Sequence, residues 1–152
     1  TDELKAMVKQ LNIPDVEFLG KLPREDLVKA YRTADVFVGP SRDGEAFNRT
    51  DAEALSCGTM IVTTNISGHR SAFGETKGVI FVKPKDPEAL AKGITTVLDL
   101  SEEDRRERGR EGRKHIVNNY FWPIVIGKLV RDVYQEVISA KKNKFPSSAT
   151  II

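Results

Sequence analysis

The 152-residue sequence has one cysteine, Cys57, so no disulfide can form within the chain and its fold must rest on an apolar core. It has two histidines, His69 and His115, and neither has cysteine or carboxylate neighbours at metal-ligand spacing, so no zinc site is expected. No apolar run reaches the roughly 18–20 residues that a membrane-spanning helix needs. The first ten residues are polar and periodic, unlike a signal peptide. The net charge of +2 is too small to imply nucleic acid as a partner. The phosphate-binding Gly-x-x-x-x-Gly-Lys-Ser/Thr loop is missing, and so is the Gly-x-Ser-x-Gly turn of a serine hydrolase. There is no internal repeat and no low-complexity segment. What remains, 39% hydrophobic and 30% charged residues, is the mix of a soluble globular domain with one core. The lone cysteine fits a reducing compartment, and a cytoplasmic location is the expectation.

The chain alternates between helical and strand patterns. Leu4, Met7, Val8 and Leu11 recur at helical spacing and predict an amphipathic helix over residues 2–12. Residues 16–20 read as a short strand. Pro23 stands where a helix can start, with Leu27, Val28, Tyr31 and Ala34 as its apolar face. Residues 36–39 form a continuous apolar run, as a strand covered on both faces does. A helix over 49–57 closes at Gly58. Residues 60–64 and 79–82 are a third and a fourth strand. Asp86-Pro87 is an N-cap followed by a first-turn proline, and Leu90, Ile94, Val97 and Leu98 line the buried face of the helix that follows. Ser101 caps a highly charged helix to about residue 118. A last helix runs over 122–141, and its apolar stripe from Ile124 to Ile138 is read as docking on the core. The end, 142–152, is expected to be a flexible tail. Short buried strands alternating with helices imply an α/β fold, a parallel sheet with right-handed crossovers. The first element is a helix with no strand before it, which leads to the expectation that the chain begins inside a domain.

In an open parallel sheet, ligands bind beyond the C-terminal strand ends. The loop after the apolar run runs from Pro40 to Asn48 and leads into a helix through Asp51, Glu53 and Ser56. A helix start offers backbone N–H groups and a positive dipole end, which suit a diphosphate. Glu45 and Glu53 bracket the segment, and carboxylates accept hydrogen bonds from sugar hydroxyls. The spacing alone decides nothing, because Glu17/Glu25 and Glu103/Glu111 share it. On spacing alone, surface solvation and favourable charge early in a helix account for both residues.

The surrounding residues carry more. Residues 34–38, Pro40-Ser41, Glu45, Phe47, Glu53-Ala54-Leu55, Ser56-Cys57-Gly58 and Ile61-Val62 fall in register with a known pattern. The stretch from 36 to 64 resembles the donor-site signature of retaining glycosyltransferases built from two Rossmann-like domains (the GT-B architecture, glycogen-synthase-like and sucrose-synthase-like). The flanks at 16–20, 27–34, 78–82 and 119–122, with Tyr134, resemble the same family, so the likeness spans residues 1 to about 138.

The resemblance implies a Rossmann-like parallel sheet flanked by helices, part of the C-terminal nucleotide-sugar-binding domain (1–141), without its first strands. It implies that Glu45 bonds hydroxyls of the transferred sugar and that Ala46, Phe47 and Asn48 offer backbone groups to sugar or diphosphate. Arg49 and Thr50 would lie by the diphosphate, Glu53 on the ribose, and Leu22 near the base. It implies no metal and no cofactor, a nucleotide-sugar donor as substrate, and a separate N-terminal acceptor domain as the missing partner. The family usually has glycine where Ala46 and Asn48 stand, and an acid where this chain has 67–71, Ser-Gly-His-Arg-Ser. Asn48 tolerates the positive φ that glycine would supply, and Ala46 does so less readily. The alternative reading is a non-catalytic nucleotide-sugar-binding or structural module on the same fold. The Arg-rich run at 105–114 reads as a solvated, ion-paired helix face, with peripheral membrane contact as the other use of such a helix.

Overall fold

A computed structural model describes residues 2–74 and 76–144. Three strands, β1 (Phe37–Gly39), β2 (Ile61–Thr64) and β3 (Val79–Val82), form a parallel sheet in the order β1-β2-β3. Phe37 pairs with Ile61, and Ile61 with Val79, so all three strands end on the same side. Successive residues of a strand face opposite sides of the sheet. Ile61 therefore enters one apolar cluster with Tyr31, Leu55, Phe73 and Ile116. Val62 enters another with Met60, Val82 and Val97. The first cluster lies under α2 (Arg24–Thr33), α3 (Arg49–Ser56), α4 (Ser67–Phe73) and α6 (Glu102–Tyr120), and the second under α5 (Pro87–Leu98). Helices on both faces enclose β2 completely, which is why its four residues can all be apolar or threonine. The α/β class and the parallel sheet flanked by helices are as the alternation of patterns implies.

The helix starts follow local chemistry. The Asp86 carboxylate accepts from the Ala89 N–H at 3.0 Å, and Pro87 sits at the first helical position of α5. The Ser101 hydroxyl accepts from the Asp104 N–H at 3.1 Å and opens α6. Asp86→Ala should lower stability by about 1 kcal/mol, and Asp86→Asn should recover most of it, in paired thermal denaturation. The exposed Lys83–Asp86 pair at 3.8 Å adds little to that loss.

Helix α6 looks fully polar in sequence, yet it lies close against the body of the fold. Gly109, Gly112 and Ile116 are buried on one face. A Cβ on Gly109 would fall 1.9 Å from the Gly58 carbonyl oxygen, and one on Gly112 would fall 2.6 Å from Leu55 Cδ2. Gly58, at φ +87°, closes α3 and presents that carbonyl. The solvated reading of 105–114 thus holds only for the outer face, where Arg106 pairs with Glu102 and Arg110 with Glu107. Glycines at i, i+3 spacing make the inner face a backbone-to-backbone contact.

Three expectations are corrected, and one helix forms as expected without its apolar face being covered. Residues 16–20 form no strand: among the described residues no ladder partner lies beside them, and Val16, Phe18 and Leu19 are exposed. Leu98 is exposed, because it lies one residue past the buried Val97 at the end of α5, where the helix face has turned away from the sheet. The face of α1 (Asp2–Gln10) carrying Leu4 and Met7 is uncovered, and α1 buries no residue. The C-terminal stripe does not dock on the core. It runs through α7 (Trp122–Lys128), a π-helical stretch Leu129–Tyr134 and α8 (Gln135–Lys144), and Val125, Leu129, Val133 and Val137 are all exposed. Of the expected tail, 142–144 complete α8 and 145–152 lie outside the described residues. Among the described residues no helix is long and apolar enough to cross a membrane.

Candidate functional site

The site is built where β1 ends. Gly39 leads into a loop over 40–48, which turns at Gly44 (φ +73°) and delivers Glu45 before α3 begins. The loop is anchored by Phe47, whose ring lies 5.9 Å from that of Phe73 and 5.1 Å from that of Tyr120. Its carbonyls are anchored too: Gly68, at the start of α4, lies so close that a Cβ there would sit 2.1 Å from the Glu45 oxygen and 2.5 Å from the Ala46 oxygen. Those two oxygens therefore face α4 rather than the open side. Among the described residues, nothing accepts from the N–H of Phe47, Asn48 or Arg49.

The helix start is more occupied than its sequence implies. Asn48 is buried at φ −83° and caps α3, its side-chain oxygen accepting from the N–H of Thr50 at 3.1 Å and of Asp51 at 3.3 Å. The Thr50 hydroxyl donates to the same oxygen at 2.7 Å. Two of the N–H groups expected to be open are thus already paired, and Asn48 is present as a cap rather than as a substitute for glycine. Ala46 has no positive φ either. In this loop that demand falls on Gly44 alone.

The two carboxylates are held in similar ways. One oxygen of Glu45 accepts from the Ser41 hydroxyl. One oxygen of Glu53 accepts from the Tyr31 hydroxyl at 3.3 Å. Burial, and then the charge of Glu53, pushes the Tyr31 phenol up to about 12, so it stays a donor at any ordinary pH. In each case the other oxygen has no partner among the described residues. Glu53 lines a cleft of about 480 Å³ between α2 and α3, with Arg24, Leu27, Tyr31, Arg49 and Ser56 on its walls. Arg49 and Glu53 therefore share one opening, while Thr50 is exposed beside the cap and half-buried Leu22 is not on these walls.

Sequence reasoning missed a buried polar cluster behind the loop. Asp51, Thr63 and His69 are wholly buried. Thr63 donates to Asp51 Oδ2 at 2.6 Å, and its oxygen lies 2.8 Å from His69 Nδ1. Asp51 Oδ1 has no partner among the described residues and rests against Gly39, where a Cβ would be only 2.0 Å away. Burial raises the Asp51 carboxyl to about 6, against the pull of Thr63 and His69. His69 Nε2 reaches the Ser41-bound oxygen of Glu45 at 3.4 Å. One signal was present: Asn48, Asp51, Ala52 and Leu55 recur at i, i+3, i+4 and i+7, so the periodicity that turns Leu55 inward turns Asp51 inward as well.

Known proteins offer a family model, two relatives and a solved structure similar to this chain. The family model described as Glycosyl transferases group 1 matches residues 1–115. The phosphatidyl-myo-inositol mannosyltransferase of Mycobacterium tuberculosis is 31% identical over 138 residues, covering 90% of this chain and 36% of that protein. The D-inositol 3-phosphate glycosyltransferase of Corynebacterium urealyticum is 34% identical over 128 residues, covering 84% and 30%. Among solved structures, sucrose-phosphate synthase from Thermosynechococcus elongatus superposes with a TM-score of 0.79 at 26% identity, over 91% of this chain and 34% of that one. The chain spans about a third of the length of these relatives.

Proposed function

Because the chain belongs to the group 1 glycosyl transferases, we propose that it is the donor-binding part of an enzyme that moves a sugar from a nucleotide-diphosphate sugar to an acceptor. The observation that carries this reading is the pair of half-satisfied carboxylates on either side of the α3 start: Glu45 and Glu53 each have one oxygen fixed by a hydroxyl and one oxygen open. An open oxygen on a fixed carboxylate is an acceptor already oriented for a hydroxyl. In this reading Glu45 holds the transferred sugar and Glu53 the ribose. Arg49, with the N–H groups of Phe47 and Asn48, lies by the diphosphate, where fixed positive charge favours departure of the nucleotide. Ala46 and Thr50, on either side of the Asn48 cap in sequence, are kept as contacts for the sugar and the diphosphate, and Leu22 as a contact for the base. Transfer with retention of configuration, without a metal, and with an acceptor held by a separate domain completes the proposal.

The test is a thermal-shift panel with UDP-, GDP- and ADP-sugars on this chain and on Glu53→Ala. A donor at ~100 times its dissociation constant should add about 2.7 kcal/mol to stability. The expected result is a shift with one nucleotide that is lost in the variant. No shift with any donor at millimolar concentration overturns donor binding by this chain.

A further inference from the structure

A histidine, a threonine and an aspartate fill wholly buried positions where apolar side chains would serve packing alone, and each is aimed at the next. His69 Nδ1 lies 3.0 Å from the Thr64 carbonyl oxygen, which can only accept, so Nδ1 carries a proton. The opposite nitrogen, Nε2, lies 3.4 Å from Glu45 Oε2. A bare lone pair facing a bare carboxylate oxygen is repulsive, so the His69–Glu45 contact is attractive only with a proton between Nε2 and Oε2. The close approach of Gly68 to the loop carbonyls is what brings the ring beneath Glu45. The charged groups facing His69 are Glu45 from the loop and Asp51 from α3, its Oδ2 4.0 Å from Nδ1, while the Phe73 ring packs on the imidazole.

We propose that His69 is a positioning residue for Glu45: with Ser41 it ties down Oε2, and so leaves Oε1 directed at the donor sugar. The inference deepens the donor-site reading and rests on it. Asp51 and Thr63 fix the ring from behind, so the carboxylate takes its orientation from β2 and α3 rather than from the loop alone.

The experiment is calorimetric titration of the full chain with UDP-glucose and GDP-mannose, each beside UDP and GDP, for wild type, His69→Leu and His69→Gln. His69→Leu should weaken the sugar nucleotide about tenfold and leave the sugar-free nucleotide unchanged. His69→Gln, whose amide also donates, should restore most of the affinity. Equal weakening of both ligands, or none, overturns the proposal and leaves a packing role. Glu45→Gln, at a half-exposed position, provides a measurement that does not depend on a buried substitution: it should move the ¹⁵N resonance of His69 Nε2 in the ligand-free chain, and an unmoved resonance also overturns the proposal. Failure of every donor to bind wild type overturns the donor-site reading and this inference with it, whereas binding that ignores His69→Leu overturns the inference alone.

Discussion

Gly109→Ala lowers the melting temperature of this chain by roughly 5–10 °C, whereas Gly127→Ala, the same change in another helix, leaves it unchanged or raises it. The added methyl at Gly109 lands 1.9 Å from the Gly58 carbonyl oxygen, a backbone atom that cannot rotate aside. To relieve the overlap α6 must withdraw from the end of α3. That loosens the Gly112–Leu55 contact, the bond from Arg113 to the Ser56 carbonyl and the burial of Ile116. Overpacking of this kind costs about 2–3 kcal/mol. At Gly127 nothing lies within 4 Å of the place a Cβ would take, so only the helix preference for alanine acts, worth up to ~1 kcal/mol in favour of folding. Differential scanning calorimetry of both variants beside wild type checks the pair. Equal effects would mean that α6 does not approach α3 as described.

Asp51→Asn gains stability relative to wild type as the pH rises, by up to about 3 kcal/mol between pH 4 and 8. The sign follows from proton binding. The unfolded carboxyl titrates near 3.8 and the folded one near 6, so between those values the folded state holds a proton that the unfolded state has released. Stability contributed by the neutral acid is complete below about 4 and is lost as the pH rises through about 6. Its cause is burial beside Gly39, with Oδ1 unpartnered. Other carboxyls work the other way: Arg110 holds Glu107 below its ordinary value. The measurement is therefore the difference between wild-type and variant urea midpoints at each pH, which cancels the titrations that do not interact with Asp51. A difference independent of pH would refute the raised value.

The strands at 37–39, 61–64 and 79–82 were legible because continuous apolar runs bounded by breakers have few alternatives. The caps at Asp86 and Ser101 were legible because a short polar side chain before an apolar period has a single local use. What escaped depends on neighbours distant in sequence. Residues 16–20 have a strand's composition, but a strand also needs a partner, and none lies beside them among the described residues. Gly109 and Gly112 read as weak points in a solvated helix until Gly58 and Leu55 are placed opposite them. At the site, Glu45 and Glu53 stood out through a family pattern. The grip on each of them did not, because Tyr31 and His69 come from 22 and 24 residues away. Asn48 shows the opposite error: compared with glycine it was judged by its φ, and the structure uses its side chain as a cap.

The π-helical stretch at Leu129–Tyr134 has a geometric result for the end of the chain. An α-helix completes a turn in slightly fewer than four residues, so every fourth side chain slips steadily around the axis. A π turn takes more than four residues, and the slip reverses. With six such residues set between α7 and α8, the two drifts oppose each other. The rows Val125, Leu129, Val133, Val137 and Ile126, Val130, Tyr134, Ile138, all exposed, therefore wind less around the axis than they would in an unbroken α-helix. The apolar seam is a shallower spiral. A flat surface laid along this helix would keep contact over more of its length than along a regular α-helix of the same sequence.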